Sequence, residues 1–230
     1  MDKRFLAILG VILLAFGGIV MANHKSADTS GNAKGDTPAQ TTNHLAGKLD
    51  SDVVLVEYGD YQCPACKSFY PVTKQVKEKY ADRVRYQFRN LPLVSLHPNA
   101  FAGARAAEAA ALQDKFWEMH DLLYENQDPR GASGWVASKD PLSDYFVGFA
   151  KQLGLDTAKF RTDFASGIVN KRINADFDSF KETGEQMSTP TFFINGKRVD
   201  GVRLAGSDGR PSVESFSRVL DEALANAKSE

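Results

Sequence analysis

The chain has two cysteines in its 230 residues, Cys63 and Cys66, and only two residues separate them. A short apolar run with β-branched residues at 52–58 precedes the pair, as is typical of a buried strand. Apolar residues then recur at helical spacing as far as Tyr80, which predicts a helix that begins at or near Cys63. Pro64 suits the first helical turn, where its missing N–H is not needed. A strand that leads directly into a Cys-x-x-Cys helix start restricts the fold more than any other feature of the sequence.

The rest of the chain extends this unit into one α/β domain. Residues 84–88 alternate and predict a second strand, parallel to the first. Helical periodicity follows in four segments, at 99–127, 142–154, 157–166 and 168–181. A strand at 191–195, a hairpin turn at Asn195-Gly196 and a closing helix at 212–227 end the chain. We therefore predict an α/β domain over residues 48–230, with a helical insertion at about 97–181.

The first 47 residues have a different composition. Residues 5–22 contain no charge and follow Lys3 and Arg4, and as a helix they would span about 27 Å, close to the thickness of a bilayer core. Segment 1–22 is therefore either an uncleaved single-pass membrane anchor, which we favour, or a signal segment cleaved near Ala22. Residues 23–47 are polar and predict a flexible linker. Both alternatives predict an extracytoplasmic domain, held at the cell membrane in the first case and secreted or periplasmic in the second.

The charge balance and the histidine spacing exclude two classes of function. With 28 basic and 29 acidic side chains, we expect no nucleic-acid partner. Two cysteines supply half of the ligands of a structural zinc site, and the four histidines show no His-x₃₋₅-His spacing. We therefore predict no metal.

Three interpretations of the cysteine pair remain: a redox-active dithiol, half of a metal site, or an inert structural disulfide. A four-residue loop would gain little stability from a disulfide, because the entropic gain grows with loop length. Unpaired N–H groups at a helix start stabilise a thiolate and lower its pKa. We therefore favour the redox dithiol, with Cys63 as the exposed nucleophile and Cys66, one turn further in, as the buried resolving cysteine.

Two other positions have a functional and an ordinary interpretation. Pro190, which opens a predicted strand, is either an edge residue or a cis-proline. Glu57 lies in an otherwise apolar strand, where a carboxylate is costly unless it is paired or functional. It is either a strand-end residue that reaches water or a proton acceptor for Cys66 through water. His97 and His120 are more typical of packing or capping than of catalysis.

Three segments together resemble the family of DsbA-type thiol oxidases. Residues 55–66 (LVEYGDYQCPAC) resemble its active-site segment, and residues 189–196 (TPTFFING) resemble its cis-proline strand and hairpin. Residues 97–100 with 115–120 resemble the start of its inserted helical domain. An anchored domain with one insertion is similar to the BdbD-like branch of that family.

This resemblance implies a thioredoxin-like fold with an inserted helical domain and an enzyme that works outside the cytoplasmic membrane without a cofactor. It would give its disulfide to exported polypeptides with free thiols. A membrane quinone-linked thiol oxidase, of the DsbB or vitamin-K-epoxide-reductase (VKOR) type, would then reoxidise it. We expect a monomer that is membrane-anchored or peripheral.

The resemblance also assigns roles by position. Cys63 would be the nucleophile, Cys66 the resolving cysteine and Pro190 the cis-proline. Thr189 would pair through its backbone with bound substrate, and Pro64-Ala65 would border the substrate site. The best-known relatives have a histidine where this chain has Ala65, so we expect weaker oxidising power. Two alternative functions are a reductase or isomerase of the same fold and a non-catalytic binding module with a structural disulfide.

Overall fold

The computed structural model describes residues 40–228. The predicted anchor or signal segment at 1–22 and most of the predicted linker lie outside these residues. Within residues 40–228, no helix is both long and apolar enough to cross a membrane.

A mixed sheet of five strands forms the centre of the domain. Its strands, in chain order, are β1 (His44–Gly47), β2 (Val54–Gly59), β3 (Arg85–Asn90), β4 (Thr191–Ile194) and β5 (Lys197–Arg198). They lie in the order β1-β3-β2-β4-β5. Only β2 and β3 pair in parallel, and each of the other three pairings is antiparallel. Strand β2, which leads into the cysteine pair, is thus enclosed on both sides.

Seven α-helices surround the sheet in the described part of the chain: α1 (Pro64–Lys79), α2 (Ala100–Ala111), α3 (Phe116–Glu125), α4 (Val147–Gln152), α5 (Thr157–Phe164), α6 (Gly167–Glu182) and α7 (Val213–Ala227). Helix α1 crosses between the parallel strands β2 and β3. Helices α2 to α6 all lie between β3 and β4 in the chain, as the predicted insertion requires. Short turns of 3₁₀ and π helix occur at Gly134–Ala137, Leu142–Phe146 and Gly201–Leu204.

The predicted linker is wrong over its last residues. Residues 44–47 form β1, which pairs with β3. Just before it, the backbone N–H and the hydroxyl of Thr42 donate to the carboxylate of buried Asp176, at 2.7 and 2.6 Å. The folded unit therefore begins before residue 48. Composition predicts a linker here because the segment has few apolar side chains, but hydrogen bonds and the packing of Ala46 against the core fix it in place.

The alanine-rich segment 99–127 forms two helices instead of one continuous helix. Helix α2 ends at Ala111, and Asp114 has a φ of 59°, a left-handed backbone that terminates helices. The chain then turns back, and Lys115 N–H donates to Ala110 O at 3.0 Å. This break lets α2 and α3 pack against each other.

Candidate active site

The cysteine pair lies where β2 passes into α1. Cys63 is the N-cap of α1, and Pro64 occupies its first turn. Cys66 is fully buried, while Cys63 keeps 7% of its surface exposed. Pro64 and Ala65, which separate the two cysteines, are exposed. Both cysteines are free thiols. Cys63 is thus the more accessible sulfur, as predicted, but it is far less exposed than a surface nucleophile.

The surroundings of Cys63 lower its pKa from 9.0 to about 6. The largest cause is the hydrogen bond from the Cys66 thiol, and the Thr189 side chain and the backbone N–H groups of Cys66 and Ala65 add to it, while burial acts in the opposite direction. At neutral pH about 90% of such a group is thiolate. Although the Ala65 side chain brings no charge, its backbone N–H supports the thiolate.

Cys66 is shifted in the opposite direction. Burial raises its pKa well above 9.0, and the hydrogen bond to Cys63 and the charge of Cys63 raise it further. The Asp60 N–H lies 3.5 Å from its sulfur and offsets a small part of this rise. The site therefore holds one thiolate, on Cys63, and one proton, on Cys66.

The segment before β4 faces the nucleophilic sulfur. The Thr189–Pro190 peptide bond is cis, so Pro190 is a cis-proline. Cys63 Sγ lies 3.3 Å from the carbonyl oxygen of Thr189. Thr189 and Pro190 are half-buried, so this carbonyl lies beside the sulfur at the edge of the buried site.

Glu57 is buried in the central strand β2 with 2% of its surface exposed. The Tyr86 hydroxyl of β3 donates to Glu57 Oε2. Burial raises the pKa of Glu57 to about 7, while the hydrogen bond from Tyr86 and the charge of Lys77 oppose the rise. The ordinary interpretation, a strand-end residue that reaches water, is therefore wrong, because β3 and β4 enclose β2 on both sides.

Tyr124 connects the surroundings of Glu57 and Cys66. Within residues 40–228, its buried hydroxyl has no hydrogen-bond partner. Burial raises the pKa of Tyr124, and the charges of Cys66 and Glu57 raise it further. Glu57 and Cys66 make no direct hydrogen bond in the described part of the chain, and the charges of both act on this unpartnered hydroxyl.

Residues 39–222 match the protein-family model described as thioredoxin. This chain belongs to the thioredoxin family. The predicted fold, a thioredoxin-like α/β fold with inserted helices, is confirmed.

Solved structures show the same fold at low identity to this thioredoxin-family chain. BdbD from Bacillus subtilis is 21% identical, with a TM-score of 0.61 over 82% of this chain and 98% of that chain. A thioredoxin-like oxidoreductase from Silicibacter pomeroyi is 24% identical, with a TM-score of 0.60 over 78% and 90%. The thiol-disulfide exchange protein alpha-DsbA2 from Wolbachia pipientis is 19% identical, with a TM-score of 0.61 over 78% and 86%.

Curated relatives with higher identity are named for transport. An Na⁺/H⁺ antiporter of Salinispora arenicola is 35% identical over 185 residues, which are 80% of this chain and 25% of that protein. One from Mycolicibacterium vanbaalenii is 38% identical over 160 residues, which are 69% and 24%. The thioredoxin-family chain thus spans about a quarter of the length of the curated relatives it matches.

Asp60 and Gln127 hold the active-site segment and were not predicted from the sequence. The Asp60 carboxylate is 1% exposed and accepts from the Gln62 N–H at 2.8 Å, the Leu93 N–H at 3.0 Å and His97 Nδ1 at 2.7 Å. The buried Gln127 amide donates to Tyr61 O at 2.7 Å and to Cys63 O at 3.1 Å. An Asp three residues before the first cysteine was the available signal for Asp60, whereas Gln127 lies in a loop without a distinctive pattern.

The two histidines that the sequence assigned to packing or capping differ in the structure. His120 is buried among aromatic rings, and burial lowers its pKa to about 4, so it fits packing. His97 instead lies at the active site, paired with Asp60, and this hydrogen bond raises its pKa. Within residues 40–228, no group of three or more His, Cys, Asp or Glu side chains is arranged to hold a metal ion.

Proposed function

We propose that this chain is an extracytoplasmic thiol–disulfide oxidoreductase that donates its Cys63–Cys66 disulfide to exported polypeptides. The observation that carries the proposal is the opposite shift of the two cysteine pKa values, downward to about 6 for Cys63 and upward for Cys66. Such a pair has one sulfur suited to bond exchange and one suited to carry a proton. Membership of the thioredoxin family and the fold shared with a thiol-disulfide exchange protein support it.

The exchange proceeds in two steps. A substrate thiolate attacks Cys63 Sγ, the Cys63–Cys66 bond breaks, and Cys66 leaves with the electron pair and takes up a proton. A second substrate thiolate then attacks the substrate sulfur of the mixed disulfide, and Cys63 leaves as a thiolate. The substrate loses two electrons and gains a disulfide, and the enzyme gains the two electrons as its dithiol.

The direction of transfer follows from the Cys63 thiolate. Every interaction that stabilises this thiolate stabilises the reduced enzyme, and so makes the oxidised enzyme a stronger oxidant. Because the backbone N–H of Ala65 takes part in lowering the Cys63 pKa, a donor side chain at this position is not required. This supports oxidation over the alternatives of a reductase or an isomerase.

Glu57 supplies the proton for Cys66 in this proposal. A carboxyl group with a pKa of about 7 can donate or accept a proton at neutral pH. A single water relays the proton between Glu57 and Cys66, and the unpartnered Tyr124 hydroxyl, on which the charges of both groups act, is available to hydrogen-bond it. In the oxidising direction Glu57 protonates the leaving Cys66, and during reoxidation it takes the proton back.

The exposed surface around Cys63 binds the substrate. Pro64 and Ala65 form one exposed border of the sulfur pair, and the Thr189 carbonyl with cis-Pro190 forms the other. The Thr189 carbonyl accepts a backbone N–H of an extended substrate once Cys63 is engaged in the mixed disulfide.

A location outside the cytoplasmic membrane and reoxidation by a quinone-linked DsbB- or VKOR-type oxidase complete the proposal. The uncharged segment 5–22 after Lys3 and Arg4 supports such a location. The match to about a quarter of proteins named as Na⁺/H⁺ antiporters supports an association with a membrane, since an antiporter works across one. We expect the enzyme to act as a monomer.

Mixed-disulfide trapping in cells that export their own thiol proteins tests the proposal. The Cys66→Ser variant keeps the nucleophile but cannot resolve the mixed disulfide, so we expect adducts with exported polypeptides that disappear on reduction. The matched control is the double variant Cys63→Ser with Cys66→Ser, which should trap nothing. Equal labelling in both variants, or none in either, would support the non-catalytic module with a structural disulfide.

A further inference from the structure

A buried carboxylate belongs to the residue whose backbone contacts both cysteines. The Asp60 side chain is fully buried, its backbone N–H lies 3.5 Å from Cys66 Sγ, and its carbonyl oxygen accepts the Cys63 N–H at 3.1 Å. The charge of Asp60 raises the pKa of Cys66. This charge keeps Cys66 protonated, so the Cys66 thiol retains the hydrogen bond that contributes most to the Cys63 thiolate. An uncompensated negative charge beside the pair nevertheless opposes a second negative charge on Cys63.

One of the three donors to this carboxylate can carry a compensating charge. The Gln62 and Leu93 N–H groups are neutral backbone donors, at 2.8 and 3.0 Å. His97 Nδ1 donates to Asp60 Oδ2 at 2.7 Å, with 18% of the imidazole side chain exposed. The Leu93 N–H and the His97 ring both belong to the connection between β3 and α2. This connection therefore supplies a neutral donor and an ionisable donor to the same oxygen of Asp60.

We propose that His97, as an imidazolium paired with Asp60, offsets the Asp60 charge beside the cysteine pair and thereby maintains the Cys63 thiolate of the reduced enzyme. His97 is a positioning residue in this account, because it acts through Asp60 and does not touch the substrate. It supplies the positive charge that Pro64-Ala65, between the cysteines, do not. The inference deepens the proposed disulfide exchange and rests on it.

The coupling makes the protonation of His97 depend on the redox state. The groups that raise the pKa of His97 are Asp60, through its hydrogen bond and charge, and Cys63, through its charge, while burial lowers it. When the enzyme is oxidised, the Cys63 thiolate and the Cys66 thiol lose two electrons and one proton and form the disulfide. The thiolate charge is then gone, so His97 binds its proton less tightly in the disulfide form.

Three variants test the role of His97 through the pH profile of Cys63 alkylation. In His97→Gln, Asp60 keeps its charge without a cation, and we expect the midpoint of the profile to rise by about one pH unit. Adding Asp60→Asn should return the midpoint toward the wild-type position, since both charges are then absent. Lys159→Gln, which removes a cation from an exposed pair with Asp163 at 2.5 Å on α5, is the control and should leave the profile unchanged.

The glutathione equilibrium of the same proteins gives a second readout. A rise of one unit in the Cys63 pKa, a tenfold fall in its ionisation constant, makes the His97→Gln enzyme a weaker oxidant by up to about 30 mV for this two-electron couple. An unchanged midpoint in His97→Gln, with wild-type Cys63 still reactive, overturns the inference and leaves the proposed function standing. A wild-type Cys63 that alkylates only above pH 8 contradicts the proposed function instead.

A titration of the wild-type protein needs no variant. The imidazole resonance of His97 is followed by NMR against pH in the dithiol and in the disulfide form. The inference predicts a higher midpoint for His97 in the dithiol form, while His120 serves as an internal reference in the same spectra. Identical His97 midpoints in the two redox states would refute it.

Discussion

Burial raises the pKa of both Glu57 and Cys66, but the two groups hold their protons over different pH ranges. Glu57 titrates at about 7, whereas Cys66 remains a thiol until well above pH 9. At neutral pH, therefore, Glu57 readily exchanges its proton, whereas Cys66 loses its proton only when the Cys63–Cys66 disulfide forms. This difference is the physical basis for assigning the proton transfer to Glu57.

Glu57→Gln should have two effects that differ in their pH dependence. The pKa of Glu57 in the folded state lies above its ordinary value of 4.5. The contribution of Glu57 to wild-type stability is therefore fully present below pH 4.5 and is lost as the pH rises through 7. The free energy of unfolding of the variant should thus exceed that of wild type by about 2–4 kcal/mol at pH 8 and match it at pH 4. Denaturant unfolding at the two pH values measures this.

The same variant should slow the resolution of a mixed disulfide by Cys66 by tenfold or more, roughly the lower end of general acid–base effects. Tyr86→Phe is the matched control, because it removes a donor to Glu57 while keeping the carboxyl group, and it should move the pH midpoint of resolution upward. A rate for Glu57→Gln equal to wild type at every pH would exclude Glu57 from the proton transfer.

At the scale of elements, the order of strands and helices could be predicted because periodicity and turn residues are local signals. The strand–cysteine–helix unit, the helices at 157–166 and 168–181, and the Asn195-Gly196 hairpin all follow from neighbouring residues. Strand β1 could not be predicted, since polar side chains near Thr42 are fixed by Asp176, 134 residues away. The pairing of His97 with Asp60 likewise joins residues 37 apart, which only the fold brings together.

The docking of β1 depends on Thr42. Thr42→Val removes the hydroxyl that donates to Asp176 at 2.6 Å and leaves a buried carboxylate with one fewer donor. We expect a loss of about 1–3 kcal/mol in the free energy of unfolding. Thr41→Val at the half-buried neighbouring position is the control and should change it by less than about 0.5 kcal/mol. Equal effects of the two substitutions would contradict the role of the Thr42–Asp176 hydrogen bonds.

The end of β2 has room only for glycine. A Cβ at Gly59 would lie 2.5 Å from the ring of Phe88, which is fully buried. Gly59→Ala should therefore destabilise the domain by about 1–3 kcal/mol. Gly148→Ala in α4, where a Cβ meets nothing within 4 Å, should stabilise it by about 0.5–1 kcal/mol. Thermal unfolding compares the pair, and a stabilised Gly59→Ala would show that Phe88 moves aside.

At the scale of the whole molecule, redox state and folding stability are linked through Cys63. Its pKa in the folded dithiol form is about 6, against an ordinary 9.0. Between these two pH values the unfolded dithiol binds more protons than the folded one. The contribution of Cys63 to the stability of the reduced form therefore rises with pH across this window and is lost as the pH falls through 6. The disulfide form has no thiolate, while Glu57 is present in both forms.

The free energy of unfolding of the reduced form, minus that of the oxidised form, should therefore increase from pH 5 to pH 8 by about 1–3 kcal/mol. Denaturant unfolding of both forms at these two pH values measures the difference. When the Cys63→Ser variant is compared with the wild-type disulfide form in place of the wild-type dithiol, the increase should be absent. Parallel curves for the two wild-type forms would contradict a low Cys63 pKa.

The claim that the oxidised enzyme gives away its disulfide is tested most directly by the equilibrium of the Cys63–Cys66 pair with a series of glutathione ratios. A dithiol whose Cys63 is stabilised as a thiolate should have a reduction potential of about −120 to −180 mV, in the range of oxidants and isomerases. A potential near roughly −270 mV, in the range of reductants, would contradict disulfide donation.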